Sequence, residues 1–235
     1  MNSISAAAAA LVSLGLLAAP TADANEAGFY IGANYGLVKK QVDRTDYDEF
    51  ASDVHFFFSY TPTQLSSSFD ESDQTYSLLG GYRINRYLAV EGAYADLGQI
   101  TYRSQSQGMF PMDRGTINVV VESETSGFVV SALGVLPLTY GWEIYARAGA
   151  LFATNRFKIN LGVRGEIFAT PGGDSIVDEF SKGTTEYLGG VGVAMRILDI
   201  YDLRLEFQRI FDAGLEETGG VGDIDVATFG VTVTF

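Results

Sequence analysis

The sequence predicts an all-β fold, an eight-stranded antiparallel up-and-down barrel that crosses a membrane, and three observations carry that reading. Apolar residues recur with a period of two from Phe29 to Leu37 and again from Phe229 to Phe235, the pattern of strands with one greasy face. Eight such segments can be traced, joined alternately by short and long connections. After an N-terminal leader, no stretch reaches the 18 or more apolar residues of a membrane helix, so an exported membrane chain must close its strands into a ring.

Composition agrees. Of 235 residues, 47% are apolar and only 19% charged, while Gly (27), Phe (16) and Tyr (13) are abundant, a balance that favours strands over helical bundles. The formal charge of -14 repels phosphate backbones and sets nucleic acid aside as a partner. With no cysteine and one histidine, disulfide frameworks, thiolate metal sites, cysteine nucleophiles and two-imidazole chemistry are excluded, and no cofactor or metal is expected.

Residues 1–24 read as a cleaved secretory signal peptide. An uncharged apolar run over residues 6–19 is too short to span a bilayer and is followed by Pro20, Thr21 and the small-residue site Ala22-Asp23-Ala24. The remaining domain, residues 25–235, opens with Phe29, Ile31, Ala33, Tyr35 and Leu37 on one parity and Tyr30, Gly32, Asn34 and Gly36 on the other. Gln74 to Ile84 then turns through Asn85-Arg86-Tyr87 into Leu88 to Tyr102, and Ser126 to Leu136 turns through residues 137–141 into Trp142 to Thr154. Thr185 to Ile197 turns through residues 198–201 into Asp202 to Phe211, and Phe229, Val231, Val233 and Phe235 alternate with Thr228, Gly230, Thr232 and Thr234. Residues 39–73, 103–125, 155–184 and 212–223 are the long, polar connections, expected outside the cell. Ten strands would result if part of the first or third of these formed another hairpin.

Register supplies an internal check: pairing Leu88 with Ile84 sets Val90 against Tyr82 and Glu91 against Gly81, which keeps apolar residues on one face. The polar parity then carries Arg83, Glu91, Glu143, Arg147, Glu186, Arg196, Arg204 and Glu206, four positive and four negative, all directed into the lumen. A bore just wide enough for side chains makes a salt-bridged plug of this set; a charge-lined ion path is the alternative.

Leu79 to Gly98 (LGGYRINRYLAVEGAYADLG) resembles the second hairpin of the small outer-membrane barrels, the OmpA-like transmembrane and opacity-type porin-family domains. Gly28-Phe29-Tyr30-Ile31-Gly32-Ala33 resembles their first strand, and the terminal Phe235 is similar to their assembly signal. The resemblance implies a barrel in a Gram-negative outer membrane, surrounded by lipid and lipopolysaccharide and folded by the assembly machinery that reads the C-terminal strand. With Phe235 as the last residue, the peptidoglycan-binding domain of larger members is not expected.

The long connections hold the remaining signals. The first contains Asp43, Asp46, Asp48, Glu49, Asp53, Asp70, Glu71 and Asp73, and the fourth Asp212, Glu216, Glu217 and Asp223; since the last strand of a closed barrel pairs with the first, these acids should share one sector of the rim. They are either a solvated face or a sector that binds divalent cations and bridges to lipopolysaccharide phosphates. Phe56, Phe57, Phe58 and Tyr60 follow His55 and cannot all obey strand alternation, so they either fold over the mouth or meet a host or envelope partner. Tyr82, Tyr87, Tyr94, Trp142, Tyr187, Tyr201, Phe207 and Phe211 fit interfacial girdles. Gly189-Gly190-Val191-Gly192 lies in an alternating strand without a following helix, so it serves curvature and close packing rather than phosphate binding. His55 alone offers a base, with no evident serine or carboxylate partner, and catalysis is not expected. The sequence thus points to an outer-membrane structural and surface-interaction protein with roles in envelope integrity or adhesion, with a narrow porin-like channel for small solutes or ions as the alternative.

Overall fold

A computed structural model describes residues 27–41, 44–70, 72–111, 113–165, 174–198, 200–215 and 220–235; the expected signal peptide lies outside them. The elements are β1 (Gly28–Lys40), α1 (Arg44–Phe57), β2 (Thr61–Asp70), β3 (Ser72–Asn85), β4 (Leu88–Phe110), β5 (Asp113–Pro137), β6 (Trp142–Gly165), β7 (Asp174–Ile197), β8 (Tyr201–Leu215) and β9 (Gly220–Thr234). Every strand pairing is antiparallel, and β9 pairs back onto β1 from Tyr30↔Thr234 to Lys40↔Ile224, which closes the ring.

Eight strands make the ring: β1, β3, β4, β5, β6, β7, β8 and β9. The ninth, β2, joins no wall of its own. It pairs with β4 over Thr101 to Met109, above the stretch where β3 pairs with β4 over Leu88 to Asp96, so β2 continues the line of β3. The additional strand in the first connection therefore adds height, and the ten-stranded alternative is not what forms. Val90↔Tyr82 and Glu91↔Gly81 pair as the register requires, but Leu88 meets Asn85 rather than Ile84, because the ladder slips between Arg83 and Asn85. Asn85 causes a tight turn there: its side-chain oxygen accepts from the backbone N–H groups of Tyr87 and Leu88 at 2.8 and 3.0 Å.

The long connections differ most from expectation. Residues 103–125 and much of 155–184 are not irregular loops; β4 to β7 run on for 23 to 25 residues each and carry the wall far past the membrane. On β4 the inward parity changes on the way. Leu97 and residues before it face in at odd positions, and Ile100, Tyr102, Ser104 and Ser106 at even ones, because a bulge between Asp96 and Gln99 inserts Gly98 at φ 67°. The inserted glycine fits closely against Asp73, whose carboxylate accepts from the Gln99 N–H at 2.8 Å.

Outward, Phe29, Tyr82, Tyr87 and Trp142 are exposed towards the short-turn end, and Tyr35, Tyr76, Tyr94, Phe128, Phe152, Tyr187 and Phe211 towards the long one, forming two belts of rings at the depths where amphipathic aromatics sit in a bilayer. Inward, three apolar clusters are stacked. One surrounds Tyr30, Leu79, Leu133 and Tyr145 near the short turns; a second contains Val38, Leu97, Leu151, Leu188 and Ile210; the third, in the extension, is built from Tyr60, Ile100, Tyr102, Ile117, Val119 and Val121. Two glycines make room in the lowest. The Tyr30 ring occupies the space that a β-carbon on Gly81 would need, and the Tyr145 ring does the same at Gly192. The glycine run of β7 is thus a packing device. Gly192→Val is expected to cost about 1–3 kcal/mol by overpacking, seen as a lower urea midpoint in lipid vesicles, with Tyr145→Ala recovering part of the loss.

Candidate functional site

Strand parity brings the lumen charges together. Because residues two apart share a face, Glu91 on β4, Arg147 on β6, and Arg204 and Glu206 on β8 all point inward, where they form one ion-paired square. Arg147 donates to Glu91 and Glu206 at 2.5 Å each, and Arg204 donates to Glu91 at 2.7 Å and lies 3.7 Å from Glu206. The remaining capacity is filled: Tyr30 donates to Glu91 at 2.8 Å, Tyr145 to Glu206 at 2.9 Å, and Arg147 to the Ser131 hydroxyl at 2.7 Å. Arg204 also lies over the Tyr145 ring, 4.7 Å from its centroid. Among the described residues, no fully buried side-chain nitrogen or oxygen lacks a hydrogen-bond partner.

Towards the short turns two bidentate pairs follow, Arg83 with Glu143 at 2.8 and 2.6 Å and Arg196 with Asp202 at 2.7 and 2.9 Å. Glu186 is buried between Thr184 and Leu188 along β7 and joins none of these pairs. Asp202, Tyr30, Tyr145 and Ser131 also belong to the site, one as an ion-pair partner and three as uncharged hydrogen-bond partners of the charges. Asp202 was legible, since it continues the Arg204–Glu206 alternation by one step.

Above the square, the cluster around Leu151 (0% exposed) fills the bore, and above that a polar belt crosses four strands. Lys40 donates to Thr125 at 2.9 Å, Thr125 to Asn155 at 2.9 Å, and Asn155 to Thr184 at 3.0 Å. Lys40 therefore belongs to the interior rather than to the first loop. Two separate cavities, of ≈ 30 and ≈ 40 Å³, flank the ionic square on its two sides, each with room for about two waters.

The extension has a site of its own. Helix α1 puts Ala51, Val54, His55 and Phe58, spaced i, i+3, i+4 and i+7, against the inward face of the sheet. His55 Nε2 lies 2.8 Å from the Ser106 hydroxyl, Tyr102 donates to Asp48 at 2.7 Å, and Tyr60 donates to the carbonyls of Ser106 and Gly115 at 3.1 and 3.0 Å. The helix ends at Ser59, which takes a left-handed φ of 51° so that Tyr60 N–H can return to the His55 carbonyl at 2.8 Å. The three phenylalanines are explained by this helix. Phe58 turns inward, while Phe56 (87%) and Phe57 (80%) remain exposed.

His55 does have a serine partner, but Ser106 is 1% exposed and its hydroxyl also reaches the Ile117 carbonyl at 3.3 Å, so the pair is sealed from substrate and pins the helix. Of the described acids of the first connection, Asp48 holds Tyr102 and Asp73 caps Gln74 and Gln99, and among the described residues no three acidic or imidazole side chains converge on a metal position. Asp43, Glu71, Glu216 and Glu217 lie outside the described residues, as do the side chains of Asp46 and Glu49. The two connections are neighbours, as β1–β9 closure requires, with Gln41 N–H donating to the Asp223 carbonyl at 2.7 Å. Phe235 ends beside β1, its N–H donating to the Phe29 carbonyl at 2.9 Å.

The sequence matches the family model of the OmpA-like transmembrane domain over residues 24–235. The chain belongs to that family. It is an outer-membrane β-barrel of the Gram-negative type. No curated protein is matched. Among solved structures, this OmpA-like chain is similar to Neisserial surface protein A (18% identity, 89% of this chain and 99% of that one, TM-score 0.45). It is also similar to the N-terminal barrel of Pseudomonas aeruginosa OprF (12%, 90% and 99%, 0.43) and to Yersinia pestis Ail, solved with the heparin analogue sucrose octasulfate (14%, 90% and 99%, 0.42).

One pH prediction follows for this OmpA-like chain. Burial holds the His55 imidazole below its ordinary value, so the undocked helix binds a proton more readily than the docked one. Docking is therefore at full strength above about pH 6.5 and weakens as pH falls through the interval between that value and the lowered one. Amide exchange of α1, corrected for intrinsic rates, should accelerate between pH 7.5 and 5.5, and His55→Gln should abolish that acceleration.

Proposed function

We propose that the protein is a closed, non-catalytic anchor that holds a rigid extracellular β-extension for surface interaction and envelope integrity. The observation that supports this reading is the filled bore: an ion-paired square with no net charge, beneath an apolar cluster centred on Leu151. An ion crossing that level would have to pass between packed side chains beside cavities of only ≈ 30 and ≈ 40 Å³, and so would lose most of its hydration. Lipid and lipopolysaccharide are its lateral partners through the two aromatic belts, and the outer-membrane assembly machinery engages β9 and Phe235. The test is conductance of the refolded barrel in a planar bilayer, with membrane insertion confirmed separately. Inserted barrels should be silent; reproducible openings would refute the anchor and make a narrow channel of it, with Arg147 and Arg204 as its lining.

A further inference from the structure

We infer that the outward face of α1, formed by Asp53, Phe56 and Phe57, docks a cationic, arginine-bearing segment of a partner protein. The inference rests on the extension being an interaction platform, as proposed above. Asp53 precedes Phe56 and Phe57 by three and four positions, so all three side chains share one helical face, opposite the packed one. Two adjacent phenylalanines, 87% and 80% exposed, are unusual on a surface that has nothing to meet. Phe57 meets Phe58 edge to face at 5.1 Å, which joins the exposed pair to the ring packed beneath the helix.

The patch is also well placed. Thr61, just beyond the helix, pairs with Met109, fifteen residues along β4 from the girdle residue Tyr94, or roughly 50 Å of strand. It is therefore presented far outside the barrel's own membrane, beside the half-exposed Met109. Charge selects the partner. Asp53 is exposed and has no hydrogen bond or ion pair among the described residues, and the chain's formal charge of -14 attracts cations over distance. An arginine is the side chain that can lie on a phenylalanine face and pair with a carboxylate one turn away. A bilayer surface fits less well, because seating both rings in lipid would draw Asp53 out of water.

The test uses the full barrel in zwitterionic nanodiscs and a fluorescent oligoarginine peptide at physiological salt. Phe56→Ser with Phe57→Ser leaves the net charge unchanged and should weaken binding about ten-fold, two cation–π contacts of ordinary strength. Asp53→Asn should weaken it several-fold, whereas Asp178→Asn, which removes the same charge from β7, should not. Wild-type affinity in the double phenylalanine variant would reduce the attraction to bulk charge and overturn the proposal. So would a variant that keeps the peptide but loses zwitterionic vesicles added in trans, which would assign the patch to a lipid surface. Amide protection of α1 is measured in parallel: a protected helix that binds no peptide refutes this inference alone, whereas an unprotected helix refutes the extension reading with it.

Discussion

Arg147→Met should be among the most damaging single substitutions in the barrel, lowering stability by about 3–5 kcal/mol, the usual result of removing one partner from a buried ion pair. Arg147 is nearly inaccessible and donates to Glu91, Glu206 and Ser131. Its loss leaves two carboxylates to the single guanidinium of Arg204, which is already 2.7 Å from one and 3.7 Å from the other. Urea unfolding in lipid vesicles, followed by the lone Trp142 at the short-turn end, reads the effect directly. In a Glu206→Gln background the same substitution should cost clearly less, because the residual imbalance is smaller. Equal costs in the two backgrounds would show that the square is four independent contacts and not a coupled unit.

Excising residues 44–58 and bridging the gap with a flexible linker should have an equally large but spatially confined effect. The cluster under α1, with Tyr102, Ile117 and Val119 each 1% exposed, is separate from the one around Leu151. Uncovering it returns to water side chains whose burial is worth about 1.5–3 kcal/mol each. The barrel should still insert and keep its Trp142 unfolding midpoint, while the extension binds hydrophobic dyes, loses amide protection along β2 and the distal half of β4, and associates between molecules. An extension that remained protected would mean that α1 is a passenger on the sheet and not its cover.

Much of the membrane part was legible in the sequence because one parity faces lipid and the other a crowded bore, so Phe29 to Leu37 and Thr228 to Phe235 could hardly be arranged otherwise. The same parity located most of the lumen charges. It located Glu186 too, but parity fixes only the face, and a partner depends on tilt and stagger around the ring, which a single strand does not encode. The extension was hidden for physical reasons. On distal β4 the inward residues Ser104, Ser106 and Gly108 carry no apolar side chain to set them apart from the polar Arg103, Gln105 and Gln107 that face out, and the bulge at Gly98 reverses the count just before them. On β5 the alternation of Ile117, Val119 and Val121 is plain, yet Val120 blurs it from the other side. Helix α1 did leave its trace in Ala51, Val54, His55 and Phe58, a period near 3.6 hidden among acidic residues that suggest a solvated loop.

Strands β4 to β7 pass without a break from the barrel wall into the extension. A load applied at the β4–β5 end is therefore carried along these strands into the barrel wall. Their hydrogen bonds lie across that direction, so the rungs between neighbouring strands share the pull at once instead of parting one by one. The molecule is mechanically a mast stepped through the bilayer: a tether caught at its tip would strain the hold of the outer membrane on the barrel before it unravelled the sheet.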